Sequence, residues 1–162
     1  MNKPLRQKLS LVGLTVLLGT LGAASMARAD TPGKHPGYLH ARSDLRQAEL
    51  LLRAPDEPNV QRVLRQTAGE VHEAIREIDR AAVLDHKDID DNPRIDTTLK
   101  RTDRLHAIEQ LLAQAKRDLT PAEDNRAAQA WRRRAQQDIQ KALSLMTRAS
   151  ALDKAADHRA GY

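Results

Sequence analysis

Cysteine and phenylalanine are absent from this chain of 162 residues, and there are only one tryptophan and two tyrosines. Without a thiol there can be no disulfide scaffold, Cys-ligated zinc, iron–sulfur cluster, covalent c-type haem or cysteine nucleophile. So few aromatics leave no platform on which bases could stack. No glycine-rich loop is present to cradle a phosphate. Ser43, Ser144 and the threonines stand in no nucleophile elbow, and no paired carboxylates mark an acid–base site. The sequence names no reaction and implies no cofactor, and no catalytic activity is expected.

Residues 1–29 read as a secretory signal. Lys3, Arg6 and Lys8 form a positive start, Leu9 to Leu21 an apolar run, and Ala27-Arg28-Ala29 a small-x-small cleavage site. The run is interrupted by Ser10, Gly13, Thr15, Gly19 and Thr20 and is short for a membrane span. No cysteine follows to carry a lipid, so the expected product is soluble and periplasmic or secreted, with no membrane anchor after cleavage. The leader holds four of the 27 basic residues and none of the 22 acidic ones, which leaves 23 against 22, a net charge of +1. The basic excess expected of a nucleic-acid binder is thereby lost. The run Arg132-Arg133-Arg134 spreads around its helix and makes no stripe.

The remaining chain carries four segments of helical apolar period, separated by proline-containing breaks, and no alternating stretch that reads as a strand. The first opens at Pro36 and bears Tyr38, Ala41, Leu45, Ala48 and Leu52. The second follows Pro58-Asn59 and runs from Val60 to about Leu84. An acidic connection covers 85–96. The third starts near Thr97 and shows Leu105, Ile108, Leu111, Leu112, Ala115 and Leu119. Thr120 with Pro121 and Glu123 matches a capping box for the fourth, which carries Ala128, Trp131, Ala135, Ile139, Ala142, Leu143, Met146 and Ala149.

A weak internal repeat relates the halves. Ala41, Leu45, Ala48 and Leu52 match Ile108, Leu112, Ala115 and Leu119 at an offset of 67, and Ala74 to Ala82 match Ala135 to Leu143 at 61. The predicted fold is therefore all-α: an up-down-up-down four-helix bundle of two similar hairpins over 36–150. It follows a flexible stretch at 30–35 and ends in a frayed tail at 151–162.

The stretch His35-Pro36-Gly37-Tyr38-Leu39-His40-Ala41-Arg42-Ser43-Asp44-Leu45-Arg46 is joined by Arg104-Leu105-His106-Ala107 and by Glu123-Asp124-Asn125 ahead of Trp131-Arg132. Together they resemble a family of small secreted bacterial helical proteins to which no function is assigned. The resemblance implies a four-helix fold and a periplasmic address, and it transfers no catalytic residue.

Six histidines invite a metal reading. Reflection through each turn of an up-down-up-down bundle sets His40, Glu77, His106 and Asp138 in one layer, a ligand set suited to zinc or iron. Facing argues against it: with roughly 100° per residue, His106 and Glu77 turn to water. What survives is either plain surface histidines or a structural pair, with His40 meeting Asp138 across neighbouring first and fourth helices and Asp44 lying near Arg134. Asp88, Asp90 and Asn92 have the spacing of calcium ligands, but Pro93 and Leu99 stand where the glycine and closing glutamate belong. Met146 faces inward with no histidine at its level, which argues against haem.

The expected function is that of a secreted interaction or accessory module, with protein as its partner. The alternative is a metal- or cofactor-binding bundle using His40 and Asp138, with His72 or His106 as further ligands. Leu39 and Leu50 lie off the main stripe, so the expected state is a monomer or a weak homo-oligomer.

Overall fold

The computed structural model describes residues 37–84, 89, 99–121, 123 and 125–160. Residues 1–29, read above as a leader, the stretch 30–35 and the calcium-like residues Asp88, Asp90 and Asn92 lie outside them. Among the described residues there are four helices: α1 (Gly37–Leu52), α2 (Pro58–Leu84), α3 (Arg101–Asp118) and α4 (Arg126–Ala160). Among the described residues no helix is long and apolar enough to cross a membrane.

Each helix forms where its apolar period and its end signals agree. Pro58 sets the first position of α2, where its missing N–H costs nothing. Before it, the backbone N–H of Asp56 donates to Gln61 Oε1 at 2.7 Å, tying the turn to the helix it precedes. Helix α3 has Asp103 in its first turn and Lys116 and Arg117 in its last, each charge matched to the helix dipole. Helix α4 starts later than the capping box predicts. Asn125, not Thr120, is its cap: its side-chain oxygen accepts from Ala127 N at 2.9 Å and Ala128 N at 3.4 Å. Glu123 in turn accepts from Asn125 N at 2.8 Å, and Thr120 Oγ1 turns back to Lys116 O. Nor does the chain fray from Ala151, because α4 continues to Ala160 with Asp153 buried.

The core is one cluster of Leu, Ile, Val and Ala drawn from all four helices. Ala41, Ala48, Ala74, Ala115, Ala135 and Ala142 are all at 0% exposure, and so small a side chain lets facing helices approach closely. At Gly37 the approach leaves no room for a side chain. A Cβ there would overlap the carbonyl oxygen of Asp118, so the start of α1 fits against the end of α3 only as glycine.

The order of the helices departs from up-down-up-down. Helix α1 packs against α2 and α3, and α4 packs against α2 and α3, so α1 and α4 occupy one diagonal and α2 and α3 the other. At one end, Arg101 at the start of α3 pairs with Asp56 and Glu57 in the α1–α2 turn and with Asp153 late in α4. At the opposite end, Gly37 meets Asp118 and Tyr38 bonds to Glu123. Helices α1 and α4 therefore run one way and α2 and α3 the other. Leu84 ends α2 at the Tyr38 end, beside Trp131, while Arg101 begins α3 at the far end. Every packed pair is antiparallel in either topology. The two orders differ only in whether the second hairpin is turned end over end, and apolar periodicity is blind to that.

The internal repeat is present in three dimensions, with one revision. Tyr38, Ala41, Leu45, Ala48 and Leu52 are buried, and so are Leu105, Ile108, Leu112, Ala115 and Leu119 at the offset of 67. In the second helix of each hairpin the offset is 68, not 61. Val60, Thr67, Val71, Ala74, Ile78 and Ala81 correspond to Ala128, Ala135, Ile139, Ala142, Met146 and Ala149, all buried. Polar contacts fix this register. Glu49 bonds to His72 at 3.1 Å in the first hairpin, and Lys116 bonds to Gln140, at the equivalent two positions, in the second. The offsets 61 and 68 differ by seven residues, which is close to two helical turns, so both keep the stripes in phase.

Candidate functional site

The proposed structural pair is not formed. His40 is half-buried on α1 and Asp138 is half-buried on α4, and these helices sit across a diagonal rather than side by side. Asp138 instead accepts from Lys141 Nζ at 2.8 Å, one turn along its own helix. Arg134 reaches Glu77, not Asp44, with Nη2 donating to Oε2 at 3.0 Å. Asp44 is buried, at 1% exposure, within α1.

The four residues weighed as metal ligands are also held apart. His106 is exposed on α3 beside Gln110, at 2.8 Å. Glu77, expected to face water, is 9% exposed because α4 covers it, and its two oxygens are taken by Arg80 and Arg134, both at 3.0 Å. Burial works to raise the Glu77 carboxyl, but Arg134 and Arg80 outweigh it and hold the group below the usual carboxylate range. His72 is spent on Glu49. Among the described residues no three His, Asp or Glu side chains are grouped to hold a metal ion.

The polar side chains do assemble at the two ends of the bundle. At the turn end, Asp56, with a side chain at 0% exposure, accepts from Arg104 Nη2 at 2.6 Å and pairs with Arg101 Nε at 3.0 Å. Arg101 extends on to Glu57 and to Asp153. Burial lifts the Asp153 carboxyl above its ordinary value; Arg101 pulls against that rise, while Asp157, Asp56 and Glu57 add to it. This network joins the α1–α2 turn, α3 and α4, and its arginines are occupied by carboxylates of the chain itself, so it serves as a clamp.

The other end is different in character. Val83 and Leu84, 55% and 42% exposed, are the exposed large hydrophobic side chains among the described residues. With Asp79, Arg80 and Trp131 they line a shallow, open depression between the end of α2 and the start of α4. Both rim charges are engaged: Asp79 accepts from Arg42 at 2.6 Å, and Arg80 donates to Glu77. What remains accessible is apolar. At the same end of the bundle, the Tyr38 hydroxyl donates to Glu123, whose backbone oxygen also accepts from Gln129 Nε2 at 2.7 Å.

Sequence reasoning placed exposed apolar surface at Leu39 and Leu50, which are half-buried, and missed Val83 and Leu84. A signal was available. Val83 continues the column Arg62, Gly69, Arg76 on the solvent side of α2, and an aliphatic residue at the end of a polar column departs from the helix's own pattern.

No family model matches the chain. No curated protein and no solved structure matches it either.

Proposed function

We propose that this chain is an exported helical module that acts by binding another protein, with no catalytic step of its own. The observation that carries this reading is the apolar depression at Val83, Leu84 and Trp131, the one place among the described residues where large hydrophobic side chains stand in water. Such surface is costly to leave open, and a partner that covers it recovers its burial free energy at roughly 25 cal/mol per Å². Paired charges on the rim suit a protein surface, because they are already satisfied and add no desolvation penalty for unpaired groups. The leader-like residues 1–29 supply the export half of the reading.

The test is site-specific photo-crosslinking in cells that make the full chain. A photoreactive residue at Val83 is expected to give discrete adducts with another protein, and Leu84→Asp should abolish them. The same probe at Arg133, exposed elsewhere on α4, should give none. Identical patterns at Val83 and Arg133 would sink the proposal. Fractionation of the same cells should place the trimmed chain outside the cytoplasm, and a chain that retains residues 1–29 in the cytoplasm would remove the export half.

A further inference from the structure

We infer that the inner faces of the first and second hairpins, complementary to each other, also fit between two copies of this chain, so that two chains exchange hairpins into a closed dimer. The contacts between α1 and α3 and between α2 and α4 all join one half of the chain to the other. Only the stretch from Asp85 to Lys100 links the halves covalently, and there is no cysteine to cross-link them. Each half presents the same buried positions at offsets of 67 and 68, so a hairpin offered by another molecule meets an identical seat.

Charge on the seam selects which hairpin is accepted. Across the α2–α4 contact, Glu77 pairs with Arg134 at 3.0 Å and Glu70 with Lys141 at 3.3 Å. In the first hairpin the positions equivalent to Arg134 and Lys141 are held by Gln66 and Glu73. Pairing two first hairpins would thus lose both ion pairs and set Glu70 against Glu73. First must pair with second, and the smallest closed assembly between chains that satisfies both is a reciprocal dimer. The native link keeps the intramolecular pairing at an effective concentration of about millimolar. Exchange is therefore a matter of concentration during folding rather than of surface stickiness in the folded state.

The chain's lack of cysteine makes the test clean. Glu70→Cys and Lys141→Cys are made in separate full-length chains, mixed, unfolded in denaturant, refolded across a range of concentrations and treated with a short bismaleimide. The expected result is a cross-linked dimer with native helix content whose fraction rises in step with protein concentration during refolding, about twofold per doubling while monomer dominates. Mixing the two chains already folded should give at least tenfold less. Light scattering on the uncross-linked sample should find the same dimer. Monomer alone by scattering at every refolding concentration would overturn the inference. So would cross-linking that is as efficient between chains mixed after folding, since that is surface association without exchange.

Discussion

Glu77 on α2 accepts a hydrogen bond from Arg134 on α4 at 3.0 Å, while its second oxygen takes Arg80 from its own helix. Because the folded carboxyl is held below its unfolded value of 4.5, it contributes stability that is fully present above that value and is lost as pH falls through the folded pKa. Glu77→Gln should cost about 1 kcal/mol at pH 7. Urea midpoints at pH 7 and pH 3 should show the gap closing in acid, and an equal gap at both would contradict the pairing.

Asp153 should titrate with the opposite sense. Its carboxyl is raised by burial, so the ionised form is the costly one, and its contribution to stability falls as pH rises from 3.8 towards the folded value. Relative to Asp153→Asn, the wild type should gain on acidification from pH 7 to pH 4, as read from thermal midpoints. Asp56 is the contrasting case. With its side chain fully buried between Arg101 and Arg104, Asp56→Ala should cost about 3 kcal/mol at pH 7.

Two glycines predict opposite signs. Gly69 faces open space on the outside of α2, so Gly69→Ala should stabilise by about 0.5–1 kcal/mol. Gly37→Ala drives a methyl group into the Asp118 carbonyl, and it should loosen the contact between α1 and α3. Amide exchange at the end of α3 should quicken in Gly37→Ala and stay at the wild-type rate in Gly69→Ala.

Val83→Asp and Leu84→Asp should each change stability by less than about 0.5 kcal/mol, because both side chains already meet water. Ile78→Ala, earlier in α2 and at 0% exposure, should cost about 2–5 kcal/mol. Chemical denaturation separates the two classes directly. Aspartate variants that unfold the protein would mean that the depression belongs to the core.

The four helices were legible in the sequence because apolar period and proline breaks act locally: α2 ends at Leu84 as its pattern states and begins at Pro58, two residues before the expected start at Val60. The neighbours of each helix were not legible. Stripes such as Ala41, Leu45, Ala48 and Leu52 say which way a helix faces but not which helix it meets, so the His40–Asp138 pair was built on the wrong adjacency. The repeat could be seen, but a seven-residue ambiguity hid its register until Lys116 and Gln140 matched Glu49 and His72. Glu77 illustrates a further limit. Its angular position on α2 predicts water, and only the bulk of α4 lying over it makes it buried.

The reordered helices also fix the sides on which α1 opens and α4 closes. Gly37 opens α1 at the Tyr38–Glu123 end, and α4, about 50 Å long at 1.5 Å for each of its 35 residues, carries the chain out at the other. An even number of alternating helices would have returned it to its starting side. Instead Gly37 and Ala160, the first and last described residues, lie at opposite ends of the bundle, so the two faces at its ends each carry one end of the described chain.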